Sequence, residues 1–573
     1  MGKILKKMSI SKAIIAIVFL LIQAGCDLYI PTLTANMINQ GVVTSDMSAI
    51  IRIGGIMLSF SLASFVAALL NTYISAKVSY RLGNDLREAI YKKITAFSNV
   101  EFDHFSASSL ITRNTNDVTQ VQSLVEMGLK FLILTPIYLL GGIYLSFRLS
   151  PTLTSAYLLV VPILLGIAFL IFHFTNPLFE KLQKSIDSLN RIFKEGLTGI
   201  KVIHAFNKEE AEYQRYEEEN NTYTKVSIFS NSLLNFLMPF MSLAMSLVTI
   251  AITWFGAGFI NAGTMEIGTL IGVIAYTSQI LMGVALLTNI VSSIPRGQVS
   301  AKRINEVLDL PLAITEGTAE IPSKQHKPLL SFEHVSFRYE GAEKDVFKDI
   351  SFELNQGESL AIIGSTGAGK TTLINLLSRF YEVTGGSIQL FGEELKHLKD
   401  ESLRQSISLV PQKNTLFFGT IRENLLIANP TATDEQIWRA LVLAKADDFV
   451  RAAKGLETPV EKNGDNFSGG QKQRLCLARA FLKDAAIYVF DDSFSALDFK
   501  TDALIQKNLA ESFEKAAKII VAQRIATVKN ANQILVLNEG EIVGYGTHEE
   551  LATANTIYQE IMQSQTEEKG AAA

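Results

Sequence analysis

Six apolar runs occupy the first half of the chain, near residues 13–35, 53–76, 131–147, 152–175, 232–260 and 267–294. A hydrocarbon core about 30 Å thick takes about 20 helical residues to cross, and in lipid only a helix or a closed barrel satisfies its own backbone groups. Five runs reach that length and the third reaches it with its flanks, so a six-span helical membrane domain is predicted. The first run is too long for a signal peptide and continues past Pro31 without a small-residue cleavage site.

Positive charge sets the orientation. Lys3, Lys6, Lys7 and Lys12 precede the first run. Segments 77–126 and 176–230 carry Lys77, Arg81, Arg87, Lys92, Lys93 and Arg113, then Lys181, Lys184, Arg191, Lys194, Lys201, Lys208, Arg215 and Lys225, whereas the links 36–50 and 261–266 carry no lysine or arginine. The positive-inside rule therefore puts the N-terminus, both long segments and everything after the sixth span in the cytoplasm. The long segments read as helical stalks. Two patches in them, FDHFSASSLITRNTNDV (102–118) and GIKVIHAFNKEEAEYQRY (199–216), set aromatics beside charges and are either docking surfaces or ordinary stalk surface.

Asp27 lies inside the first run, about one turn before Pro31. A charge at bilayer depth costs a few kcal/mol and normally faces a partner or a cavity. It is either a local or interhelical hydrogen-bonding group or a counter-charge for a cationic substrate. Elsewhere the composition is restrictive. At 573 residues the chain exceeds one core, and a net charge of −4 provides no basic field for nucleic acid. Cys26 and Cys476 build no disulfide framework, and the seven histidines and two cysteines show no metal-ligand spacing.

The texture changes after Pro311, and the expected division is a membrane domain over 1–315, a linker over 316–328 and a nucleotide-binding domain over 329–573. In SLAIIGSTGAGKTTLINLL an apolar strand runs into Gly364, Ser365, Thr366, Gly367, Ala368, Gly369, Lys370, Thr371 and Thr372, then an amphipathic helix, which is the P-loop pattern in its strand-loop-helix context. The glycines let backbone N–H groups curl around phosphate at a helix N-terminus, Lys370 supplies a point charge and Thr371 an oxygen for Mg²⁺. Downstream, four hydrophobic residues end in Asp491, an acid expected at the same Mg²⁺ site. In NFSGGQKQRLCLARA (466–480), Ser468, Gly469, Gly470 and Gln471 head a basic amphipathic helix that offers further donors to phosphate.

GSTGAGKTT, LVPQ (409–412), FSGGQ (467–471), FDD (490–492) and SALD (495–498), in that order, resemble the nucleotide-binding domain of an ABC transporter. Six spans fused ahead of an α/β P-loop domain resemble a bacterial half-exporter of the type IV fold over essentially the whole chain. The resemblance implies that Tyr339 stacks on adenine, that Thr371, Gln412 and Asp491 hold Mg²⁺, and that two such domains sandwich ATP head to tail. Each ATP then meets one subunit's P-loop and the other's 468–471 element, with Asp498 at the nucleotide interface. The two patches would be coupling helices, and such chains work as dimers of halves.

Two positions depart from the family pattern. Asp492 stands where a glutamate activates the attacking water, and Gln523 stands where a histidine contacts the terminal phosphate. With Thr458, Val460 and Gly464 matched to the pattern, Glu461 replaces a glycine and Lys462 an acid; Phe467 replaces the usual leucine, but Ser468 to Gln471 are intact. This combination resembles the degenerate-site subunit of heterodimeric bacterial multidrug exporters. It implies a hydrolysis-impaired ATP site, a partner half-transporter with an intact glutamate, hydrophobic or cationic small-molecule substrates and a place among the lipids of a bacterial plasma membrane. A homodimeric lipid or peptide exporter with slow hydrolysis, an ATP-gated channel or regulator, and an importer remain open alternatives, because sequence alone does not fix direction or substrate. His548 is expected to cap or pack near a helix start, and 571–573 to be a cloning remnant.

Overall fold

The computed structural model describes residues 2–6, 8–321 and 328–571. Part of the expected linker and the last two alanines lie outside the described residues. The chain divides into two compact units, Met1–Thr95 with Ala107–Leu310, and Ala96–Ser106 with Pro311–Ala573.

In the first unit six helices are long and apolar enough to cross a membrane: Ile10–Val42, Met47–Thr95, Ala107–Leu149, Pro151–Thr198, Glu209–Asn261 and Ile267–Leu286. These are the six expected spans. The 49 residues of the second give a helix about 74 Å long at 1.5 Å per residue, more than twice the hydrocarbon thickness. The surplus is the stalk that the charge pattern called for. The third run is short in sequence because Lys130 interrupts it, and the structure pairs that ammonium with Glu126 one turn away at 2.6 Å. The break before the fourth span is written locally. Ser150 caps the helix by accepting from the Leu153 N–H, and Pro151 takes the first turn, where its missing N–H costs nothing.

Buried hydroxyl and amide groups pin the spans together. The Tyr157 hydroxyl donates to the Val273 carbonyl at 2.8 Å, and Asn71 Nδ2 donates to the Ala16 carbonyl at 2.8 Å. Gly268 allows the first and sixth spans to touch, since a Cβ there would lie 2.2 Å from the Ala35 carbonyl oxygen. Arg113, expected as part of the first patch, is instead buried in this unit against the Arg303 carbonyl and Glu306. Only the front of that patch forms a separate short helix, Asn99–His104, and residues from Ala107 onward belong to the third span. The second patch divides between helix Ile200–Ala205, which buries none of its residues, and the start of helix Glu209–Asn235.

The second unit is built on a six-stranded sheet in the order Glu541–Gly546, Gln533–Asn538, Ser359–Gly364, Ala517–Val521, Ile487–Asp491, Ile407–Val410. Five strands are parallel and the edge strand Glu541–Gly546 is antiparallel. Ile487–Asp491 and Ala517–Val521 are buried at every position, which explains their continuous apolar runs. An antiparallel sheet of Phe347–Leu354, Leu330–Phe337, Gly385–Leu390 and Glu393–Glu394 completes the α/β core.

The helix Asn99–His104 belongs to this unit. Its Asp103 accepts from the Tyr381 hydroxyl at 2.6 Å, and Val100 packs on the apolar core. Glu101, 2% exposed, accepts from Ser98 N–H at 2.7 Å, from the Ser98 hydroxyl, and from the Ala313 N–H at 2.5 Å. Burial alone would raise its pKa, but the bonds from Ser98 and Ala313 outweigh it and hold the carboxyl below its ordinary 4.5. A lowered folded pKa stabilises fully above pH 4.5 and fades as pH falls through the folded value. Glu101→Gln is therefore expected to cost about 1–3 kcal/mol at neutral pH, read as a lower apparent Tm of the purified chain, with the difference from wild type closing in acid.

Candidate functional site

The C-terminal ends of adjacent parallel strands converge on one crevice, the place where open α/β sheets bind ligands. Ser359–Gly364 ends in the P-loop. Its bends depend on glycine: Gly367 and Gly369 have φ of +85° and +101°, and a Cβ on Gly369 would meet the Phe347 ring at 2.6 Å. Lys370 opens the helix Lys370–Leu377, and its ammonium donates to the carbonyls of Gly364 at 2.8 Å and Ser365 at 2.7 Å. Ser365 Oγ lies 3.3 Å from Asn538 Oδ1. Ala368 is buried, while Thr366 is exposed at the loop crest.

Thr371 Oγ1 stands 3.5 Å from Asp491 Oδ1. Two oxygen ligands so placed, beside a Gly-rich cradle, fit a Mg²⁺ ion travelling with a nucleoside triphosphate. Among the described residues no group of three or more His, Cys, Asp and Glu side chains could hold a metal by itself, so the phosphates would supply the remaining oxygens. Tyr339 joins the loop from the other side. Its hydroxyl hydrogen-bonds Thr372 Oγ1 at 2.9 Å, and its ring meets Tyr381 edge-on at 5.2 Å.

Asp492, Gln523 and Gln412 lie one, two and two residues beyond three neighbouring strands, and they meet. The Asp492 carboxylate accepts from Gln523 Nε2 at 3.4 Å and from the Gln412 side chain. Asp492 has φ of +49°, a left-handed conformation that Asp and Asn tolerate better than longer side chains. Its carbonyl is held by Gln473 Nε2 at 3.4 Å and Ser495 Oγ at 2.9 Å.

Desolvation raises the pKa of both Asp491 and Asp492, opposed by the Thr371 bond at the first and by Gln412 and Lys370 at the second. Desolvation lowers that of Lys370, opposed by Asp492 and Asp491. A raised folded carboxyl pKa means the native state holds more protons than the unfolded one, so stability falls as pH rises from 3.8 through the folded value. At neutral pH the pair therefore weakens the ligand-free domain. Asp491→Asn is expected to raise the nucleotide-free Tm by a few degrees at pH 7, to gain nothing below pH 3.8, and to lose the further rise that Mg²⁺ and ATP give wild type.

The remaining sequence candidates sit apart from this cluster. Ser468 Oγ and Gln471 cap their own helix, Gly469–Phe481, by reciprocal bonds of 3.3 and 3.0 Å. Gly469 is exposed and a Cβ there would meet nothing within 4 Å, while one on Gly470 would lie 3.2 Å from the Ala496 carbonyl. Asp498 caps helix Phe499–Ser512 through Thr501. His548 opens helix His548–Ala554 and bonds the Tyr558 hydroxyl at 2.8 Å, in line with a packing role.

Three contributors carry no motif signal of their own. Gln473, 1% exposed, bridges Asp492 to the Ala496 N–H, and the only hint was a glutamine on the apolar face of its helix. Arg524 holds the carbonyls of Leu497 and Ser495, and Tyr381 links Tyr339 to Asp103.

The family profile described as ABC transporter transmembrane region matches residues 13–284, and that described as ABC transporter matches 347–495. An ABC transporter ATP-binding protein of Mycobacterium tuberculosis (strain CDC 1551 / Oshkosh) is 37% identical over 550 residues, covering 95% of this chain and 94% of the relative. The chain belongs to the ABC transporters. A second family member, YfiB of Bacillus subtilis (strain 168), is 34% identical over 560 residues, covering 97% of this ABC transporter and 96% of the relative. A Staphylococcus aureus (strain NCTC 8325 / PS 47) protein named for multidrug export as an ATP-binding/permease protein is 29% identical over 549 residues, covering 94% and 95%. Among solved structures, a bacterial Atm1-family ABC exporter with ATP bound shares the fold at TM-score 0.80 and 23% identity, over 97% of this chain and 99% of that one. Membership makes this a multi-pass membrane protein with a cytoplasmic nucleotide-binding domain, in which ATP hydrolysis is coupled to transport.

Proposed function

We propose that this ABC transporter is one half of a heterodimeric exporter of amphipathic compounds in a bacterial plasma membrane, and that its own ATP site binds nucleotide but hydrolyses it slowly. The observation that supports this most is the mutual engagement of Asp492 with Gln523 and Gln412. Aspartate withdraws its carboxylate by about 1.5 Å, one C–C bond, relative to glutamate, and general-base help worth about 10²- to 10⁴-fold depends on hydrogen-bond reach. Gln523 donates an amide N–H but has no ring nitrogen that could carry a proton at neutral pH.

The roles of the other residues follow the family pattern. Tyr339 offers a ring face to adenine, the 364–369 backbone and Lys370 hold the phosphates, and Thr371, Gln412 and Asp491 provide oxygens for Mg²⁺. That ion, when bound, offsets phosphate charge and polarises the terminal phosphoryl group. The outward-facing Gly469, whose missing side chain is not required by packing within its own chain, suits a backbone approached closely by a nucleotide on another subunit. Helix Ile200–Ala205, with none of its residues buried, suits a surface covered by that subunit. The Staphylococcus aureus relative's name supports multidrug substrates.

The test is ATP turnover of the chain purified alone against the chain co-expressed with its partner half-transporter. Little turnover alone and brisk turnover in the pair is expected. Equal turnover per site would overturn the division of labour.

A further inference from the structure

The first span carries a built polar site that the nucleotide chemistry does not use. Pro31 has no N–H, so the Asp27 carbonyl four residues earlier loses its helical donor. Gln279, on the sixth span, supplies it: its Nε2 donates to the Asp27 carbonyl at 2.6 Å. That bond fixes the orientation of the amide, since its oxygen could not serve a carbonyl. The other end of the same group, Gln279 Oε1, is buried and has no hydrogen-bond partner. A buried acceptor left unmet is costly, and each one in a folded protein calls for an explanation.

The side chain of the same Asp27 ties two further spans. Its Oδ1 accepts from Ser64 of the second span at 2.5 Å and its Oδ2 from Tyr138 of the third at 2.7 Å. Ser64 and Tyr138 are 7% and 9% exposed, whereas Asp27 is only half-buried, so the carboxylate retains an open side. Both partners are neutral hydroxyls, which solvate a charge without cancelling it. A carboxylate has about four acceptor positions, and two are taken. Four helices thus bring together a carboxyl group whose bonds among the described residues come from hydroxyls, free acceptor capacity and an orphan amide oxygen, near the middle of a 33-residue span.

We propose that Asp27, Ser64, Tyr138 and Gln279 form an intramembrane site for a lipophilic monovalent cation bearing N–H donors, an alkyl- or arylammonium. The ammonium pairs with the open side of the Asp27 carboxylate and gives an N–H to Gln279 Oε1, while the apolar part of the ligand lies among the surrounding aliphatic side chains. The site rests on the export reading for its purpose, since it makes cationic amphiphiles the preferred cargo. It does not depend on which nucleotide site hydrolyses.

The test is equilibrium binding to the full chain in lipid nanodiscs without nucleotide, so that its outcome is separate from any result on ATP turnover. The probe is dansylcadaverine, a protonated primary amine at pH 7, against its N-acetyl derivative, which carries the same fluorophore without charge. Wild type is expected to bind the amine at least about 10-fold more tightly than the acetylated compound, the effect of one partly desolvated ion pair. Asp27→Asn should make the two equal, Asp27→Glu should keep most of the preference, and Gln279→Met should reduce it several-fold. If Asp27→Asn fails to fold, Gln279→Met and Asp27→Glu carry the decision. Equal binding of both probes to wild type, a preference that survives in Asp27→Asn, or one left undiminished in Gln279→Met overturns the site and leaves the cluster as an interhelical staple.

Discussion

Replacing Asp492 by glutamate and Gln523 by histidine in the same chain is expected to raise phosphate release from particles containing only this polypeptide by about 10²-fold or more. Because the element 468–471 is intact, a pair of repaired chains would hold two complete sites. Glutamate extends the acid by about one C–C bond toward the terminal phosphate, and histidine restores a ring nitrogen there. Removing Gln523 also frees the acid at position 492 from its present donor, so the two changes are expected to exceed the product of the single ones. The left-handed backbone at 492 opposes the gain slightly, since a longer side chain sits less comfortably at φ of +49°. ATP affinity should stay within a few-fold, because Lys370, Thr371 and the P-loop are untouched. Unchanged turnover in the double variant, with ATP still bound, would falsify the assignment of these two positions as the cause of slow hydrolysis.

The second large effect is expected at Gly469. A carboxylate placed there by Gly469→Asp meets nothing in its own chain, so the subunit should fold and melt as wild type does. In the proposed pair it faces the phosphates held by the other subunit. Two like charges about 4 Å apart at an effective dielectric of about 20 repel by about 4 kcal/mol, close to 10³-fold in nucleotide affinity at that site. Turnover of the co-expressed pair should therefore collapse at ATP concentrations that saturate wild type, whereas Asp492→Asn in the same chain should cost less than about threefold. Comparable losses from the two variants would place hydrolysis at this chain's own P-loop instead.

Much of the chain was legible because its signals are local. Bilayer-length apolar runs, lysines on alternate links and glycines at a strand-to-helix bend act through solvent and backbone conformation, and a neighbour's identity hardly alters them. Where tertiary packing intervened the reading was coarser. The patch 102–118 divides between the two units: Asn99–His104 is anchored by Asp103 and Glu101, while Arg113 is buried against Arg303 and Glu306. Gln473 and Tyr381 gave no motif signal because a bridging role is defined by what lies on either side.

The sequence by itself determined six membrane-crossing helices, their cytoplasmic side, a P-loop domain behind them, and an aspartate and a glutamine at positions 492 and 523. Only the tertiary structure decided that Gln412, Asp492 and Gln523 engage one another, that Asp492 adopts a left-handed backbone, and that an amide 252 residues away serves the carbonyl that Pro31 leaves bare. Length, polarity and chain bends are fixed over a few residues by solvent and sterics, but a hydrogen bond between distant residues exists only after whole helices and strands have packed.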